Sequence, residues 1–122
     1  MNERVLQLEL WMQQRECEHC EFKEAKNRYD FEELVGYCVA LANEGGGRVI
    51  LGVTDKAPRQ VVGTEAFRNL ERTKQGLIER IHLRVDAEEI SHPRGRVLVF
   101  HVPSRPIGMP EQKKGESKRR PN

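Results

Sequence analysis

From Phe31 to Ala42 the apolar residues Phe31, Leu34, Val35, Cys38, Val39 and Ala42 recur at three- and four-residue steps. That spacing puts one stripe of a helix on a core. Gly36, Ala40 and Ala42 are small enough for the helix to pack closely on a flat partner such as a sheet. Residues 49–53 form a short apolar run rich in β-branched side chains, the pattern of a strand covered on both faces. Gly45, Gly46 and Gly47 lie between the two and suit a helix stop and chain reversal, because glycine accepts the left-handed conformation. Asp30 is placed to cap the helix, with Glu33 three residues on.

The flanking pattern completes the outline. Residues 3–14 predict a short amphipathic helix, with Trp11 as a large apolar anchor for the core or for a second subunit. Residues 21–25 predict a strand with Phe22 on the core side and Glu21 and Lys23 sharing the other face. Residues 56–59 read as a loop, and residues 60–63 as a short strand returning beside 49–53. Thr64 then caps a helix over 65–82, weakened by Gly76. Residues 85–90 and 96–102 are strands joined by Ser-His-Pro-Arg-Gly, a hairpin turn. The fold class is α+β: one domain, a small mixed or antiparallel sheet packed with about three helices. It is expected over residues 1–108. Residues 109–122, rich in Lys and Arg after Met109, predict a flexible basic tail.

Composition narrows the function classes. A chain of 122 residues with 37% hydrophobic and 33% charged residues suits one core with a solvated surface. No apolar run approaches the roughly 20 residues of a membrane helix, and the first residues lack a signal-peptide layout. A cytoplasmic location is therefore expected, with no membrane partner. Cys17, Cys20 and Cys38 are odd in number, which speaks against a disulfide framework and for a reducing compartment. A net charge of +2 does not announce nucleic-acid binding by itself, so any basic patch must come from distribution.

The run Ala-Asn-Glu-Gly-Gly-Gly-Arg-Val-Ile-Leu-Gly-Val-Thr-Asp, preceded by Glu16-Cys-Glu-His-Cys-Glu-Phe-Lys23, resembles the Schlafen AlbA-like domain family. Val102-Pro-Ser-Arg-Pro106 is similar to the family's end-of-strand segment, so the resemblance covers roughly residues 14 to 107. The family includes transcriptional regulators and RecG-related helicase-like proteins. The resemblance implies nucleic-acid binding, DNA above all, within a transcriptional regulator and mainly through the phosphate backbone. Its ribonuclease members imply an alternative, a metal-dependent nuclease. Glu16, Glu21 and Asp55 would then hold Mg²⁺ or Mn²⁺, and Lys23 would stabilise developing phosphate charge. Binding alone requires no cofactor. The segment after Met109 departs from the family, which continues there with an aromatic and arginine-containing strand.

Glu16 and Glu21 are five apart, so they converge only if residues 16–20 bend. The glycine run is not a phosphate loop, since it follows a helix and precedes a strand and lacks Gly-Lys-Ser/Thr. Cys17-x-x-Cys20 with His19 has no second pair to complete a zinc site. The candidate phosphate contacts are Lys23, Lys26, Arg28, Arg48, Lys56, Arg59 and Arg105. A third reading is a protein-interaction or homodimerisation module, which would expose an apolar strip around Trp11.

Overall fold

In the computed structural model, which describes residues 2–14 and 19–106, the chain runs α1 (Glu3–Gln13), β1 (Cys20–Lys23), α2 (Phe31–Asn43) and β2 (Gly47–Leu51). It continues through α3 (Leu70–Ile81), β3 (Asp86–His92) and β4 (Gly95–Val102). Glu16, Cys17 and the basic tail lie outside the described residues. Asn2 caps α1 by accepting from Arg4 N–H, and Asp30 caps α2 by accepting from Glu33 N–H at 3.0 Å. The sheet is mixed, in the order β1-β2-β4-β3. β1 and β2 are parallel and joined through α2, while β4 is antiparallel to both β2 and β3.

The two-residue period of the strands sorts the core into two layers. Val49 and Leu51 of β2 and Leu98, Phe100 and Val102 of β4 meet Leu34, Val35, Cys38, Leu41 and Ala42 of α2 and Leu77 and Ile81 of α3. Phe22, Ile50, Val97 and Val99 point the other way, onto Val5, Leu8, Trp11 and Met12 of α1. Trp11 is buried, not the centre of an exposed strip; the exposed large apolar side chains among the described residues are Leu6 and Leu10. No helix among the described residues is long and apolar enough to cross a membrane.

The glycine turn is structural. Gly46 N–H donates to Leu41 O at 2.7 Å and closes α2. At φ +94°, a Cβ on Gly46 would stand 2.8 Å from Val102 O, and one on Gly47 would run into the carbonyl of His19. Three chain segments therefore cross at backbone contact. Gly36, by contrast, faces solvent with nothing near it, so it plays no part in the close packing expected of it.

Two expected elements differ. The strand over 60–63 contracts to the single antiparallel bridge Val53–Val61, because Gly52 turns at φ +104° and its carbonyl takes both Val62 and Gly63 N–H. The helix expected from residue 65 begins at Leu70, capped by Asn69. Thr64 is engaged elsewhere, donating to Ala25 O and accepting from Ala66 N–H. Arg96 takes the carbonyls of Thr64, Ala66 and Phe67, the acceptors a first helical turn would need. The turn after β1 also comes early, since Ala25 adopts φ +42°.

Candidate nucleic-acid interface

Because β1 and β2 are parallel, the loops that follow them leave the same end of the sheet. The crevice beyond such carboxyl ends is where open sheets with parallel strands commonly hold ligands. Here Gly52 N–H donates to Lys23 O at 2.8 Å, and Glu65 N–H donates to Lys26 O at 2.8 Å, so the first loop is pinned to the second. Lys26 and Arg28 on the first loop and Lys56 on the second are exposed, and none has an ion pair among the described residues.

Lys23 stands at the root of this end, on the α2 side of β1. Its ammonium lies 4.8 Å from the Tyr37 ring centre. Hydrogen bonding to Tyr37 holds it above the ordinary lysine value against an opposing burial effect, and Glu21 and Asp55 add to the rise. Glu21, two residues earlier on the same face, has its carboxyl raised first by burial. Lys23 opposes that rise, while Asp55 and Glu44 reinforce it. The Tyr29 hydroxyl is pushed well above the usual phenol range by burial, with Glu33, Tyr37 and Glu21 adding. It is buried without a well-directed hydrogen bond, although Glu33 lies near enough to contribute.

The other candidate cations lie elsewhere. Arg48 occupies the opposite face of the sheet, 4.5 Å from the Trp11 ring, and burial lowers its pKa. Arg59 lies over Phe22 at 4.3 Å and donates to Met12 O and Gln14 O, which satisfies the carbonyl end of α1. Arg105 sits at the far end, its Nε donating to Asn43 Oδ1 at 2.9 Å and its N–H to Ala42 O. Thus Lys23, Lys26, Arg28 and Lys56 come together, while Arg48, Arg59 and Arg105 serve packing and helix ends. The sequence reading missed Tyr37 and Glu44. Tyr37 lies one helical turn beyond Glu33, at the border of the apolar stripe, a position from which an aromatic can reach the strand beneath.

Glu21 and Asp55 feel each other's charge, but no group of three His, Cys, Asp or Glu side chains among the described residues is placed to hold a metal, and Glu16 lies outside them. The described donors therefore do not make a complete site, and no hydrolytic step is derived through a metal. Cys20 is disulfide-bonded and Cys38 is a buried free thiol, so one cross-link exists where the odd count spoke against a disulfide framework.

The geometry defines a small α+β domain with helices on both faces of a mixed sheet and a cationic loop end. The chain belongs to the Schlafen AlbA_2 family, whose description matches residues 16–121. Two solved structures share the fold. One is the DIP2311 protein of Corynebacterium diphtheriae, with 22% identity, TM-score 0.62, and coverage of 84% of this chain and 25% of that one. The other is the N-terminal domain of a putative ATP-dependent DNA helicase RecG-related protein from Nitrosomonas europaea. It has 19% identity, TM-score 0.59, and coverage of 98% of this chain and 94% of that one. The chain thus spans about a quarter of the C. diphtheriae protein and nearly all of the N. europaea domain. No curated protein matches it.

Proposed function

We propose that this domain binds nucleic acid, DNA in particular, through backbone phosphates at the carboxyl end of β1 and β2. The observation that carries this reading is the grouping of Lys26, Arg28 and Lys56 on adjoining loops, exposed and without ion pairs among the described residues, beside Lys23. No Phe, Tyr or Trp among the described residues is exposed, so the surface offers charge to phosphates and no platform for stacking bases. Membership in the Schlafen AlbA_2 family and the likeness to a domain of a RecG-related protein support a nucleic-acid role. A regulatory role in transcription goes with it.

The test is binding to short duplex DNA and structured RNA across a salt series, with the double variant Lys26→Gln/Lys56→Gln alongside. Wild type should weaken steeply with salt, and the variant should bind less at low salt with a shallower slope. Absence of binding at low salt refutes the reading.

One observation favours a second reading, a metal-dependent nuclease. Glu21, its carboxyl raised first by burial and further by the Asp55 and Glu44 charges, stands beside Lys23, an arrangement that a divalent ion would relieve. Mg²⁺- or Mn²⁺-dependent loss of the probe, abolished in Glu21→Gln, would establish it; an intact probe at all metal concentrations would remove it.

A further inference from the structure

The same end of the sheet carries a third element. β4 runs antiparallel to β2 and β3 antiparallel to β4, so the turn from His92 to Gly95 emerges beside the two cationic loops. Arg94, in this turn, is exposed and has no ion pair among the described residues. The turn is braced on two sides. Arg94 N–H donates to His92 Nδ1 at 2.9 Å, which leaves Nε2 to face Glu9 Oε2 of α1 at 2.8 Å. Gly95 packs so tightly on the second loop that a Cβ there would stand 2.7 Å from Gly63 Cα. The backbone that carries Arg94 is therefore set before any ligand arrives, which lowers the ordering cost of a contact.

The strand order fixes the spacing. Neighbouring strands lie about 4.8 Å apart, so the end of β1 and the turn joining β3 to β4 are two to three strand spacings apart, roughly 10–14 Å, with the end of β2 between them. The major groove of B-DNA is about 12 Å wide. Cations carried on loops so spaced can meet phosphates on both rims of one groove, whereas a single strand offers one line of phosphates. A-form RNA presents a deep, narrow major groove whose rims lie at a different spacing.

We propose that Arg94 is a further phosphate contact, and that it makes the partner a B-form DNA duplex gripped across one groove. Lys26 and Arg28, on the loop after β1, hold one rim and Arg94 holds the other, with Lys56, on the loop after β2, between them. The proposal rests on the nucleic-acid reading given above.

The experiment is fluorescence anisotropy with a DNA duplex of about 20 base pairs, one of its single strands and an RNA duplex of the same sequence. Wild type, Arg94→Gln, Lys26→Gln and Arg84→Gln are compared over a salt series, with circular dichroism to confirm that each is folded. Arg84 is an exposed cation just before Asp86 opens β3, at the opposite end of the sheet, and serves as control. Wild type should prefer the DNA duplex to both other probes. Arg94→Gln should flatten the slope of log affinity against log salt by about one and reduce the duplex preference, while Arg84→Gln leaves both unchanged. An Arg94→Gln variant indistinguishable from wild type, or matched by Arg84→Gln, while Lys26→Gln still weakens binding, overturns this proposal alone. Equal affinity for the single strand or the RNA duplex also overturns it. If wild type binds none of the probes, the nucleic-acid reading falls with it.

Discussion

Replacing Gly46 by Ala tests whether the glycine turn is a structural crossing. Gly46 holds φ +94°, beyond the range that L residues tolerate, where even the milder left-handed helical region costs roughly 1–2 kcal/mol. The new Cβ would also stand 2.8 Å from Val102 O and 3.0 Å from Ser104 N, both backbone atoms that cannot rotate away. Reduced freedom of the unfolded chain returns about 0.4–1 kcal/mol. The net loss should be about 2–3 kcal/mol, a large share of the roughly 5–15 kcal/mol that holds a domain together. At an unfolding entropy of about 2.1 cal/mol/K per residue, a 122-residue chain loses about 4 °C of Tm per kcal/mol, so a fall of about 8–12 °C is expected. Gly36→Ala is the matched control. Gly36 lies inside α2 with open space around it, so alanine there should stabilise by about 0.5–1 kcal/mol. Urea and thermal melts followed by circular dichroism read both. If Gly46→Ala melts within about 2 °C of wild type, or if the two variants shift together, the crossing argument is wrong.

Three further outcomes follow from the electrostatics. The Glu21 carboxyl is raised above its ordinary 4.5, so its favourable contribution is complete below that value and lost as pH rises through the folded value. Glu21→Gln should therefore be more stable than wild type at neutral pH, with the gain vanishing in acid; urea midpoints against pH decide. Glu88 has the opposite sign: Arg4 first and His101 next hold it below 4.5, so its contribution is present above that value and lost as pH falls through the folded one. Arg4→Ala should cost about 0.5–1 kcal/mol at neutral pH, as expected for a half-exposed pair, and less as pH falls through the folded value of Glu88; a pH-independent cost would contradict this. Burial pushes the Cys38 thiol up to about 12, so peptide mass spectrometry should find it unmodified by iodoacetamide in the native chain and modified once unfolded.

The parts of the fold legible in the sequence are those whose causes are local. Asp30, the stripe through Leu34, Cys38 and Ala42, the glycine stop and the hairpin strands each act within a few residues, and each is where the pattern put it. The start of α3 was not legible, because the residue that takes its would-be carbonyls, Arg96, lies some thirty positions later. The return strand over 60–63 failed at Gly52, whose conformation depends on the approach of Arg96 O and Gly63. Gly36 falls between the buried positions Leu34, Val35 and Cys38, so helical phase places it outward despite its size. In the site, the shared face of Glu21 and Lys23 was readable from strand period. The separation of Arg48, Arg59 and Arg105 from the other cations was not, since charge alone does not say which guanidinium a helix end or a tryptophan will occupy.

The fastening of α1 has a consequence for the order in which the domain assembles. Arg4 is held by Glu88, Glu9 by His92, and Trp11 and Leu8 rest on a face built partly from Ile90, Val97 and Val99. The first helix in the chain thus depends on partners some eighty residues downstream, among the most non-local contacts in the fold. Closing so long a loop is costly until the hairpin exists to reward it. The eleven residues of α1 are also too few to stay helical alone in water. The β1–α2–β2 unit can form from near neighbours in sequence, whereas the segment made first is the one that must dock last.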